Sequence, residues 1–165
     1  MMKKIFSIFL VMIMCVGLVG CSSSSDDESS DSKKKTKTEF GLNETGTLDK
    51  VNYTVTNFQQ SQGEEYFTPD EGNTYYVVTV KIENKSDEKI DFNSLYWKIL
   101  DSNGVEKTDV TLYDTGHLLD SGDLNAGGTV EGDLVYELPS GSTGLKVRVY
   151  PDVLDNKTCL TFDLN

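Results

Sequence analysis

Histidine is nearly missing from this 165-residue chain, which holds one, His117, beside three cysteines, three prolines and a single tryptophan. One histidine leaves no pair for metal ligation and no Ser-His or Cys-His arrangement in view, so hydrolysis by an activated nucleophile has little to work with. No Gly-x-Ser-x-Gly elbow and no glycine-rich phosphate loop occurs. Basic charge is scarce as well: 15 Lys and Arg stand against 27 Asp and Glu, a formal charge of −12. That sign repels phosphate backbones and anionic surfaces, which excludes nucleic acid as a partner. Helical periodicity is also lacking, since no amphipathic stretch runs beyond about two turns. What is present, 37% hydrophobic and 10% aromatic residues, suffices for one packed domain.

The amino terminus reads MMKKIFSIFLVMIMCVGLVGC, with Lys3 and Lys4 ahead of an apolar run over residues 5–19. This is the layout of a signal peptide. A membrane-spanning helix needs about 20 apolar residues, and this shorter run stops at Gly20-Cys21 and a serine tract. Leu18-Val19-Gly20-Cys21 resembles the lipobox of bacterial lipoproteins. The resemblance implies residues 1–20 as a lipoprotein signal peptide, cleavage between Gly20 and Cys21, and a diacylglycerol on the Cys21 thiol. Two or more acyl chains give firm anchoring where one gives only marginal binding. The mature protein is then expected on the extracytoplasmic face of a cell membrane, held through Cys21. With Cys15 removed and Cys21 acylated, only Cys159 remains as a thiol, so no internal disulfide can staple the fold.

Residues 22–38, SSSSDDESSDSKKKTKT, contain no aliphatic or aromatic side chain, and residues 21–39 are expected to form a disordered tether after the lipidated cysteine. Its lysine cluster can be read as a contact for lipid headgroups or as the basic half of a solvated, charge-balanced linker. The remaining residues, 40–165, carry 22 acidic against 9 basic side chains, so the acidity belongs to the domain itself.

Period-two alternation runs through that domain. Val51, Tyr53 and Val55 share one parity; so do Tyr76, Val78, Val80 and Ile82, opposite Tyr75, Val77, Thr79, Lys81 and Glu83. Leu95, Trp97 and Ile99 repeat the pattern, as do Val130, Leu134 and Tyr136, then Leu145, Val147 and Val149, then Leu160, Phe162 and Leu164. At least six strands are expected, separated by turn signals at residues 71–73, 84–87, 101–104, 125–128 and 139–141. In the sharpest of these, Asn103 and Gly104 are expected to supply the positive φ of a hairpin. Short strands with one polar face each predict an all-β fold, an immunoglobulin-like antiparallel β-sandwich over residues 40–165 with Trp97 in its core. Cys159, of opposite parity to Leu160 and Phe162, is expected to face away from that core.

Three segments carry a family resemblance. Residues 71–86, EGNTYYVVTVKIENKS, residues 97–104, WKILDSNG, and residues 124–139, LNAGGTVEGDLVYELP, are similar to a domain of unknown function found in Gram-positive lipoproteins. Asn125 and Ala126 stand where that family more often has proline. The resemblance implies a telokin-like, immunoglobulin-related sandwich, similar to a secreted immunoprotective antigen of mycobacteria, a Gram-positive host and no catalytic residue. Gly132 inside a strand suggests a bulge or a close backbone approach, and Pro139 a strand end.

Candidate chemistry is sparse. Asp114, Asp120, Asp123 and Asn125 form the densest set of oxygen ligands within one loop and could collect around a hard cation such as Ca²⁺, although the spacing fails the EF-hand pattern. A solvated acidic loop is the plainer reading, and no cofactor is expected. His117, in Asp114-Thr115-Gly116-His117, reads as an exposed loop residue. The leading expectation is a non-enzymatic surface lipoprotein that presents loops or a sheet edge to an extracellular protein, peptide or envelope ligand, cationic ones being favoured by the acidity. The alternatives are an accessory or structural subunit of a cell-envelope membrane complex and, less directly, a hydrolase built on carboxylate pairs.

Overall fold

The computed structural model describes residues 37–109, 113–152 and 158–165, within the compact unit Lys35–Asn165. The signal peptide, Gly20, Cys21 and nearly all of the tether lie outside the described residues. Two sheets face one another. The first has strands β1 (Glu39–Phe40), β11 (Leu160–Asp163), β10 (Lys146–Val149), β6 (Trp97–Leu100) and β7 (Glu106–Thr108) in that order. The second runs β2 (Thr45–Leu48), β3 (Val51–Ser61), β4 (Asn73–Asn84) and β9 (Thr129–Pro139). A small ribbon of β5 (Ile90–Phe92) and β8 (Gly122–Leu124) lies outside both sheets. Pairing between these strands is antiparallel except between β1 and β11, where Glu39 and Phe40 run parallel to Thr161 and Phe162. Glu39, placed in the tether by composition, is therefore a sheet residue. Hydrogen bonding to β11 orders backbone that no apolar side chain marks.

The alternating residues meet between the sheets. Tyr76, Val78, Val80 and Ile82 of β4 pack with Leu134, Tyr136 and Leu138 of β9 against Trp97, Ile99, Val147, Val149 and Phe162 of the facing sheet. Trp97 is 1% exposed, with Tyr53 edge-on at 6.0 Å and Phe162 at 6.2 Å between ring centroids. Such aromatic contacts add to the area buried. On β3 the register shifts between Val55 and Asn57. That bulge inverts the strand's parity, so Val51, Tyr53 and Val55 point inward before it and Phe58, stacked on Tyr76, does so after it.

Three expectations need correction. Leu95 does not continue the alternation of Trp97 and Ile99: it lies in a 3₁₀ turn, Ser94–Tyr96, and is 59% exposed. The cause is Asn93, whose side chain accepts from the Leu95 N–H and caps that turn. The outer face of β4 is not wholly polar, because Tyr75, Val77 and Val135 form a second apolar cluster beneath Tyr113 and Leu118. In the β6–β7 turn only Gly104 has positive φ (80°); the Asp101 carboxylate accepts from the N–H groups of Asn103 and Val105 and sets the turn instead.

The segment that covers the outer cluster also closes a sheet edge. Leu119 N–H donates to the Asp133 carbonyl at 2.9 Å, and Asp133 N–H donates to the His117 carbonyl at 2.8 Å. Residues 117–119 thus lie parallel to β9, with Leu118 turned to the outer cluster and Leu119 buried in the main core. A protected edge does not recruit another strand. Gly132 makes this possible, since a Cβ there would stand 2.6 Å from both Cα and N of Leu119. The β4–β9 register runs unbroken past Gly132, so close approach, not a bulge, is its role.

Candidate functional site

One end of the sandwich carries the β2–β3 turn, the β4–β5 connection and the chain beyond β10. There Leu48 pairs with Val51, Val51 with Asn84, and Val149 with both Trp97 and Leu160. The β2–β3 turn is the two-residue kind. Asp49 (φ 49°) and Lys50 (φ 64°) both take the left-handed conformation that lets a tight hairpin follow the strand twist. Asp-Lys is an unusual pair for that turn, and its only sequence signal is two polar residues between two alternating runs.

The β4–β5 connection is built on Asn84, which is completely buried. Its amide nitrogen donates to the carbonyls of Glu88 (2.7 Å) and Leu124 (3.0 Å), and its amide oxygen accepts from Ser86 N–H (3.0 Å) and the Ser86 hydroxyl (2.7 Å). Its backbone exchanges bonds with Gly127 and Gly128. One side chain therefore holds two loops together, as buried polar groups with every partner made can.

Between these walls opens a groove of ≈ 480 Å³, within the range of small-ligand sites, about 300–1,000 Å³. Its apolar lining comes from Leu48, Val51, Ile90 and Pro151, and its charged lining from Asp49, Lys50, Asp87, Glu88, Lys89 and Asp91. The lysines are engaged, Lys50 with Asp87 at 3.3 Å and Lys89 with Asp123 at 2.6 Å. Asp49, Glu88 and Asp91 have no cationic partner among the described residues. Asp91 is held by the Tyr96 hydroxyl, which donates to it. Tyr53, 6% exposed, also lines the groove, and its hydroxyl makes no hydrogen bond among the described residues. Burial pushes that phenol well above its ordinary value, and the charges of Asp49 and Asp91 push it further.

The four residues weighed for cation binding do not all come together. Asp114 and Asp120 line a second cavity, of ≈ 350 Å³, together with Asp109 and Asp133. Asp123 lies on β8 and is paired with Lys89, while Asn125 joins a turn in which its carbonyl accepts from Gly128. Asp114 and Asp120 already accept from the nearby N–H groups of Gly116 and Ser121. Among the described residues no group of three or more His, Cys, Asp or Glu side chains stands ready to hold a metal ion. The deeper acid of the second cavity is Asp133, which receives the hydroxyls of Thr79 (2.7 Å) and Thr115 (2.8 Å) and so ties the covering segment to the sheet. His117 is exposed, and Cys159 is a half-buried free thiol.

On the outer face of the first sheet, Glu106 accepts from Arg148 (2.8 Å) and Tyr150 (2.5 Å), with Lys98 at 3.8 Å and also over the Tyr150 ring. Burial raises the Glu106 carboxyl, but these hydrogen bonds and the charges of Arg148 and Lys98 outweigh it and hold the group below its ordinary value. Burial and the bond to Glu106 raise Tyr150 to about 12. A depressed carboxyl contributes stability above its unfolded value of 4.5 and loses it as pH falls through the folded value. Glu106→Gln is therefore expected to cost about 1 kcal/mol at pH 7. The gap should narrow as pH falls below 4.5 and through the folded value in melting curves taken across pH; a gap independent of pH would mean that packing, not charge, is lost.

Comparison with known proteins matches residues 40–159 to a family described as "Domain of unknown function (DUF4352)". No curated protein matches the sequence. Among solved structures, the yjhA protein from Bacillus subtilis superposes with a TM-score of 0.60 at 18% identity, covering 76% of this chain and 99% of that one. The ycdA protein of the same organism, assigned as a candidate lipoprotein, gives 0.63 at 16% identity over 73% of this chain and 38% of its own length. MPT63, a secreted protein from Mycobacterium tuberculosis, gives 0.59 at 10% identity over 78% and 97%. This chain spans well under half of ycdA. At such identities the likeness establishes a shared β-sandwich fold.

Proposed function

Since the chain belongs to the DUF4352 family, a domain of unknown function, we propose that it is a non-enzymatic binding module, lipid-anchored through Cys21 on the extracytoplasmic face of the membrane. The observation that carries this reading is the run Leu18-Val19-Gly20-Cys21 at the end of a basic-then-apolar leader. The lipoprotein assignment of ycdA and the secreted character of MPT63 support the location. Binding rather than catalysis is supported by the site itself, a groove of carboxylates and apolar walls in which the one hydroxyl of a serine, Ser86, is spent on the Asn84 side chain. His117 enters the fold through its backbone.

The second reading, an accessory subunit of an envelope membrane complex, draws on the opposite end of the sandwich. There Tyr66 (84% exposed) and Phe67 (49%) project from the β3–β4 connection. Exposed aromatic side chains of this kind are common at protein interfaces.

Intact mass and membrane partition of the protein from its host, compared with Cys21→Ala, test the anchor. The expected result is a chain cut before Cys21 and heavier by a diacylglycerol, lost from the membrane fraction in the variant. Unprocessed, unmodified protein that stays in the membrane overturns the anchor. A membrane complex that copurifies with the wild type, and is lost on Tyr66→Ser, would move the reading to the accessory subunit.

A further inference from the structure

We infer that the groove between the Asp49-Lys50 turn and residues 86–91 is a binding site for the ammonium group of a lysine side chain in a partner peptide. The assignment rests on the binding-module reading and names its ligand chemistry. Three features converge. Asp49 and Asp91 line the same groove as Tyr53, and neither has a cationic partner among the described residues. Tyr53, a residue more than nine-tenths buried, lines the groove, and its hydroxyl has no hydrogen-bond partner among the described residues, which leaves it free to accept from a ligand there. Leu48, Val51 and Pro151 supply an apolar wall of the kind a lysine's methylene stem covers while its head reaches carboxylates.

A peptide fits better than a free polyamine. Lys50 and Lys89 stand on the same rim, where they repel a second positive charge yet can donate to the carbonyls that flank a single lysine in a chain. Asp91 is also held before a ligand arrives by the Tyr96 hydroxyl, and the backbone that carries Asp49 is set by its turn, so less order remains to be imposed on binding.

The test is a titration of the isotope-labelled full chain, in detergent, with acetyl-Gly-Lys-Gly-amide, followed through backbone amide resonances. Saturable shifts confined to residues 48–53 and 86–91 are expected, weakening with salt because the carboxylates are exposed. The same peptide acetylated on its lysine should not bind, since its charge is gone. Asp49→Asn with Asp91→Asn should weaken binding about tenfold or more. Asparagine tolerates the left-handed turn at 49 and still accepts from Tyr96 at 91, so the fold is kept. Tyr53→Phe, which retains the ring against Trp97, provides a second variant and should weaken binding several-fold. The site is overturned by a flat titration, by shifts spread evenly over the acidic surface, by equal binding of the acetylated peptide, or by spermidine binding as tightly as the peptide. None of these outcomes depends on Cys21, so the groove and the anchor fail separately.

Discussion

Gly132→Ala is expected to destabilise the domain by about 3 kcal/mol, the sum of overpacking and lost hydrogen bonds, and to lower its melting temperature by roughly 10 °C. The new Cβ would stand 2.6 Å from backbone atoms of Leu119, and a backbone cannot swing aside as a side-chain tip can. The strain has one outlet, which is to push residues 117–119 off β9. That breaks the two backbone bonds with Asp133, withdraws Leu119 from the main core and uncovers Tyr75, Val77 and Val135. Hydrogen exchange should accordingly rise at Leu119 and Asp133 before it rises on β4. Gly41→Ala serves as the control: nothing lies closer than 4.0 Å to its added Cβ and its φ is ordinary. It should change stability by no more than about 0.5 kcal/mol. Equal melting temperatures for the two variants would remove the close approach as the reason for glycine at 132.

The same position shows how much of the molecule could be read from the chain. Gly132 stood out because a glycine interrupts a strand, yet sequence offered a bulge and a close approach equally, and only the unbroken register with β4 decides. Strand content was legible because alternation is local: Tyr76, Val78, Val80 and Ile82 face the core as their parity requires. Where a single side chain redirects the backbone, parity misleads. Asn93 converts Leu95 to an exposed turn residue, and the bulge after Val55 moves the inward position to Phe58. The acid cluster is only partly gathered, for a different reason. Asp114 and Asp120 line one cavity, but the β5–β8 ribbon carries Asp123 to Lys89, and Asn125 lies in the turn beyond it. The groove was invisible for the converse reason, since its walls come from residues near 50, near 88 and at 151, which only the sheet registers bring to one end. No local motif marks such a site.

Asn84→Ala is the second large effect, and it links the fold to that groove. The buried side chain makes two donor bonds to carbonyls of different loops and accepts two bonds from Ser86. Truncation removes all four bonds and empties the space of a side chain with 0% exposure, while the Glu88 carbonyl keeps only the Ser86 hydroxyl, which together should cost about 2–4 kcal/mol. Because residues 86–91 form one wall of the groove, lysine-peptide binding should weaken in the folded fraction as well. Asn84→Asp separates hydrogen bonding from space filling. Its shape is conserved and one oxygen can still accept from Ser86, but the other is aimed at the carbonyls of Glu88 and Leu124 where a donor stood. At neutral pH the aspartate should therefore be worse than the alanine. The carboxyl introduced would be raised by burial and by those carbonyls, so its neutral form is favoured in the folded state and its ionisation favours unfolding. Relative to wild type at the same pH, Asn84→Asp should thus regain stability as pH falls from neutrality toward about 4, the unfolded value, while Asn84→Ala keeps a constant deficit. Melting curves of the three proteins across that range read the difference directly. Parallel deficits for both variants would assign Asn84 to packing and remove it as the bond that joins the two loops.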